Sequence, residues 1–357
     1  MTALRTEPVA SAGAPAEHRH RYDIDLIRLF CGASIMLGHT GAVFIGHVDH
    51  QPENGSFVYW AGHLAEAINP WAVPTYFAIA GWAVLSGAPP KSERAMLRRI
   101  WRHLVPLGFW TAAYIVLGKI LGENERPMIT LAFGSLFNSG YTGVSHLWYL
   151  YSYIPLITVL ALAVLFLRGH RPWILTGIAA FIACAPILFK TFAEVMGYDD
   201  FPVFSWGLAG YQPIYAVIGA FLLTRAQGPS RWRPLWLIGL LACAGAVLWY
   251  ETQIYYPIQN ANPAVGLMCF FFIMVLSGLT IPERYRAMIK NLAGCAFGAY
   301  LIHMLVIKLT LERWVSPDLG AAQSALLLVG SFCLTFVISY ALSYLWGKIP
   351  GMRKIAG

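Results

Sequence analysis

The sequence predicts an all-α membrane protein: a polytopic bundle of about ten transmembrane helices with both termini in the cytoplasm. Three observations predict it. Apolar residues fill 58% of the 357 positions and charged residues only 12%, where a soluble globular chain carries roughly twice that charged share. The apolar residues gather into runs close to the length of about 20 residues that crosses a bilayer as a helix. Lys and Arg collect in alternate connections between the runs, the asymmetry that orients membrane proteins.

Ten runs are expected to span, at 24–46, 71–88, 103–121, 146–167, 173–190, 206–224, 234–250, 264–281, 292–311 and 322–346. Helix is required because lipid offers backbone groups no outside partner. One set of connections carries Arg21, Lys91 to Arg102, Arg168 and Arg171, Arg225 to Arg233, Arg284 to Lys290, and Lys348 to Lys354. The alternate set holds most of the acids, Glu66, Glu123, Glu194, Glu251 and Asp318 among them. This pattern places both ends of the chain in the cytoplasm. An even number of spans follows, in keeping with ten.

Residues 1–21 begin with Ala, Pro, Glu and Thr and close on the basic cluster His18–Arg21. With no apolar core, this is expected to be a disordered cytoplasmic tail, not a cleaved signal. Residues 22–350 form a single transmembrane domain, and 351–357 a basic cytoplasmic C-terminal tail. The net charge of +8 sits in short loops, so it does not point to nucleic acid. All six cysteines fall inside apolar runs, where they read as small packing residues, not disulfides or metal ligands.

The first run is the most informative. It carries Arg28 and His39, 11 positions apart, which is within about 20° of three helical turns and roughly 16 Å along the axis. Both therefore project from one face. Ionisable groups inside a membrane helix are costly and mark function by default, although Arg28 could also pair with Asp25 or snorkel to the headgroups. The connection KSERAMLRRIWRHLVP holds the densest basic cluster, with Arg98, Arg99 and Arg102 at helical spacing. Such residues anchor a span at the positive-inside face, and paired guanidinium groups also suit a phosphate or diphosphate. The small residues Ala78, Ala80, Gly81 and Ala83 would let another helix approach the second run closely.

His146 opens the fourth run as HLWYLY, with Trp148 and Tyr149 following; these fit an aromatic belt or a sugar-stacking platform. His303 stands mid-run in the ninth. His47, His50 and His63 are scattered without paired carboxylates, so no metal site is expected. There is no Walker loop, no GxSxG elbow, no HExxH and no CxxC. Two classes remain: a carrier or flippase for a glycan or small anionic solute, or an enzyme with a charged cytoplasmic donor. No inverted repeat or pair of interrupted helices favours the carrier.

These residues together resemble the bacterial membrane-bound acyltransferase family 3. Arg28-x10-His39 matches its hallmark, PTYFAIAG at 74–81 its second-span segment, and RRIWRHLVP at 98–106 its basic approach to the third span. HLWYLY at 146–151 and FGAYLIH at 297–303 recur as well. Ala80 stands where the family usually has Ser, and Trp82 where Phe or Tyr is usual. The resemblance covers nearly the whole chain and is closest to the surface polysaccharide O-acyltransferases.

It implies an O-acetyltransferase of the bacterial inner membrane. An acetyl or other short acyl group would pass from cytoplasmic acyl-CoA, a co-substrate and not a bound cofactor, to a hydroxyl of a polysaccharide or lipid-linked glycan. His39 and Arg28 would be catalytic. Arg28, Arg98, Arg99 and Arg102 would hold the donor, and His146, Trp148, Tyr149 and His303 would lie on the acceptor side. Partners would be acyl-CoA, the glycan and the bilayer, and no metal is implied.

Overall fold

The structure is a computed structural model that describes residues 20–48, 55–197, 204–225 and 230–355. The expected N-terminal tail thus lies outside the described residues except for His20 and Arg21, as does His50. The chain is all-helical, with no strand among the described residues. Its helices are α1 (Tyr22–Gly46), α2 (Phe57–Ala67), α3 (Ala72–Trp82), α4 (Glu93–Ile120), α5 (Met128–Ser135) and α6 (Trp148–Leu167). Then come α7 (Trp173–Met196), α8 (Tyr211–Arg225), α9 (Arg233–Gln253), α10 (Pro263–Leu276), α11 (Glu283–Thr310) and α12 (Ala321–Lys348).

Each apolar run is helical, but not every one is long. Among the described residues, seven helices have the length and composition to cross a membrane: α1, α4, α6, α7, α9, α11 and α12. The runs at 71–88, 206–224 and 264–281 are α3, α8 and α10, of 11, 15 and 14 residues. In the first of these, α3 passes directly into a five-residue π-helical turn, Ala83–Gly87, and such turns cluster at functional sites. The helices α2 and α5 lie outside the expected spans.

Hydrogen bonds sort the helix ends into two groups. At one end, Arg21 clasps Asp23 in two bonds of 2.8 and 2.7 Å and donates to the Leu223 carbonyl of α8. Asp23 also accepts from the Gly278 amide just past α10, so the start of α1 is tied to the ends of α8 and α10. Leu175 of α7 donates its amide to Glu93 at the start of α4, and Arg233 donates to the Ser277 carbonyl. This end gathers the basic connections. At the opposite end, Lys308 of α11 pairs with Glu123 after α4 at 2.6 Å.

Packing divides centre from rim. In the apolar spans of α6 and α11, 61% of the residues are buried, against 11% in α7, so α7 presents nearly all its surface outward, as a lipid-facing helix does. The first helix packs against α2, α3, α11 and α12. The small residues of α3 do what their size predicts. A Cβ on Gly81 would lie 2.0 Å from the Ala216 carbonyl oxygen, and one on Gly219 would lie 2.2 Å from the Ala78 Cβ. Close backbone approach of α3 and α8 therefore depends on glycine at both positions.

Candidate active site

The inner face of α1 borders a cavity of about 370 Å³ that runs past Arg28, Gly38 and His39. Its walls continue with Arg99 and His103 of α4, Trp148, Tyr149 and Tyr153 of α6, and Tyr300 of α11. The same cavity reaches Glu66 of α2, Asn69, and Glu251 at the far end of α9. Because α1 is unbroken over Tyr22–Gly46, Arg28 and His39 keep one face and the axial separation of roughly 16 Å.

Arg28 is fixed at both levels of its structure. Its Nη1 lies 3.6 Å from Asp25 Oδ1, and its carbonyl accepts the Tyr76 hydroxyl at 3.1 Å. Asp25 in turn accepts from His20 Nε2 at 2.5 Å. The pairing of Arg28 with Asp25 foreseen from spacing is therefore present, and Arg28 nonetheless borders the cavity. Of Arg98, Arg99 and Arg102 in α4, Arg99 lines it; Arg98 and Arg102 are exposed.

His39, His146 and His303 come together from α1, the turn before α6, and α11. Their ring centroids are 6.2 Å apart for His39 and His146, 5.2 Å for His39 and His303, and 4.9 Å for His146 and His303. His303 Nδ1 lies 2.5 Å from the Tyr300 carbonyl. A carbonyl only accepts, so Nδ1 carries the hydrogen and a neutral His303 presents a bare Nε2. That Nε2 and both His146 ring nitrogens are buried with no hydrogen-bond partner among the described residues. His146 and His39 border the cavity, whereas His303 stands behind them in the core.

Tyrosines hold this cluster in place. The Tyr300 hydroxyl donates to the His146 carbonyl at 2.5 Å, joining α11 to the turn before α6. Tyr114 of α4 donates to Leu301 and accepts from the Leu305 amide. Its ring lies 5.4 Å from that of His146. Trp148 and Tyr149 both line the cavity, and the Tyr149 ring lies 5.0 Å from Phe77 and 5.5 Å from Tyr153.

The far end is acidic. Glu251 is 3% exposed, accepts the Ile258 amide through Oε1, and leaves Oε2 without a hydrogen-bond partner among the described residues. Burial and the neighbouring Glu251 push the Glu66 carboxyl up to about 8. Tyr256 is pushed up by burial and by the same two carboxylates. Among the described residues, no group of three His, Cys, Asp or Glu side chains is placed to hold a metal ion.

Sequence reasoning missed His103, Tyr300, Asn69 and the cavity role of Glu66 and Glu251. For the two acids, the available signal was an isolated carboxylate in an otherwise apolar stretch, HLAEAI and LWYETQ. No curated protein and no solved structure matches the chain. A comparison with known families matches residues 21–344 to the acyltransferase family 3 domain, described as an acyltransferase domain. That match takes in every cavity residue named above, and the chain belongs to acyltransferase family 3.

Proposed function

We propose that this membrane acyltransferase moves an acetyl, or another short acyl group, from cytoplasmic acyl-CoA to a hydroxyl of a surface polysaccharide or lipid-linked glycan. The observation that carries the proposal is the single cavity shared by Arg28, Arg99 and His39. Guanidinium groups bind phosphate oxygens through charge-assisted bonds, so the Arg99 end suits the nucleotide part of CoA. The exposed Arg98 and Arg102 add positive potential around the approach. The roughly 16 Å from Arg28 to His39 is of the order of a pantetheine arm, which brings the thioester to the imidazole. The basic end faces the cytoplasm in this scheme, in line with the positive-inside rule.

His39 acts as general base. It takes the proton of the acceptor hydroxyl as that oxygen attacks the thioester carbonyl; the C–O bond forms and the C–S bond breaks. The proton then passes from the imidazolium to the departing CoA thiolate. His146 and His303 flank the His39 ring. Trp148 and Tyr149 supply aromatic faces against which a sugar ring can stack.

Purified protein supplied with radiolabelled acetyl-CoA and a membrane glycan extract tests the proposal. Labelled glycan is expected from the unaltered protein. Label that crosses the membrane as an unmodified solute would instead assign the chain to the carriers.

A further inference from the structure

The cavity is polarised, with guanidinium groups at one end and carboxylates at the other, and the carboxylate end has no role in the chemistry above. Glu66 and Glu251 come from α2 and α9 and meet on one wall beside Asn69 and Asn260. Their level is set by close packing. A Cβ on Gly41 would lie 2.9 Å from the Gly62 carbonyl oxygen, and one on Gly38 would lie 3.6 Å from the Asn69 Cβ. Asn69 and Glu66 are thereby held against the turn of α1 that carries His39.

Among the described residues, no cation forms an ion pair with either acid. Burial and Glu251 act on the Glu66 carboxyl, and Glu251 accepts the Ile258 amide. Glu251 lines the cavity, and its Oε2 atom is buried with no hydrogen-bond partner among the described residues. A buried acceptor left unsatisfied is costly, so the site is built for a donor that arrives with a ligand. Sugar hydroxyls are such donors, and neighbouring hydroxyls can bridge a carboxylate and a carboxamide.

We infer that Glu66 and Glu251 form the acceptor end of the cavity and select an uncharged, hydroxyl-rich acceptor over an anionic one. The inference rests on the acyl-transfer reading and adds the charge class of the acceptor to it. An acceptor carboxylate would be desolvated in a wall that offers it acidic side chains and, among the described residues, no paired cation, which is strongly unfavourable. The donor, itself anionic, is kept to the opposite end for the same reason, where Arg28 and Arg99 line the cavity.

The test uses the full chain in lipid nanodiscs with radiolabelled acetyl-CoA and a matched pair of acceptors, p-nitrophenyl β-D-glucoside and p-nitrophenyl β-D-glucuronide. The unaltered protein is expected to favour the glucoside by about tenfold or more in kcat/KM. The double variant Glu66→Gln/Glu251→Gln is expected to bring the ratio close to one by gaining activity on the glucuronide. A gain on one acceptor is not a result that misfolding produces. Equal use of both acceptors by the unaltered protein, a ratio unchanged in the variant, or label on neither glycoside overturns the inference. Release of CoA with a membrane glycan extract, measured alongside, separates the two readings. Release without glycoside labelling sinks only the acceptor assignment, whereas no release sinks acyl transfer and the assignment with it.

Discussion

At the scale of single residues, the proposed chemistry turns on His39 and on the arginines that border the same cavity. His39 is the one imidazole of the cluster that lies on α1, and it borders the cavity with Arg28. Its replacement by Ala should lower acetyl transfer by at least about 10²-fold while the protein still accumulates in the membrane. Near-normal product would remove His39 from the mechanism. Arg99 and Arg102 should separate in the same assay. Arg99→Ala removes a cavity guanidinium and should raise the KM for acyl-CoA about tenfold, whereas the exposed Arg102→Ala should change it much less. Glu66 predicts a pH dependence of stability. Its folded-state value of about 8 lies above the ordinary 4.5, so between these pH values the unfolded chain has lost a proton that the folded chain keeps. Stability should then fall as pH rises through that window, with Glu251 and Tyr256 the titratable neighbours. Glu66→Gln should flatten the apparent Tm between pH 5 and pH 8, and an unchanged slope would contradict this.

Helix packing carries the argument at the scale of elements. Gly81→Ala should force α3 from α8, since its Cβ would meet the Ala216 carbonyl oxygen at 2.0 Å. Overpacking of this kind costs about 1–3 kcal/mol, and the measurement is the temperature at which the solubilised protein loses its monodisperse elution peak. Gly108→Ala on α4, where a Cβ meets nothing within 4 Å, should leave that temperature unchanged. Much of this scale was legible in the sequence. Apolar runs mark where helices form, and the 11-residue spacing puts Arg28 and His39 on one face whatever surrounds α1. The small residues of α3 announced a close neighbour. Composition could not reveal that neighbour's identity, because α8 is brought to α3 by tertiary packing. Nor could it show that α3, α8 and α10 would be short, or that α3 would end in a π-helical turn, since local hydropathy does not register where a helix stops inside an apolar run.

The whole molecule adds what no single stretch contains. The cluster of His39, His146 and His303 joins residues over 250 positions apart; the sequence pairs His39 with Arg28 on one helix face and, by resemblance, puts His146 and His303 on the acceptor side, without bringing the three rings together. Glu66 and Glu251 were counted among the acids of the outer loops, a statement about charge that says nothing of which acids face inward. His103, beside Arg102 in the same basic stretch, was passed over because charge dominated that motif; it lines the cavity next to Arg99. The assembled cavity has a cationic end, and at the other His39 stands at the level of the acidic pair Glu66 and Glu251. On the proposed orientation, this order matches a donor arriving from the cytoplasm and an acceptor waiting on the far side.

That order is tested most directly in sealed proteoliposomes that hold the protein in one orientation, with radiolabelled acetyl-CoA confined to the side of the basic connections and glycan acceptor supplied only on the other. The account predicts acetylated glycan on the far side, lost in the His39→Ala protein. Product that forms only when donor and acceptor share a compartment would contradict it.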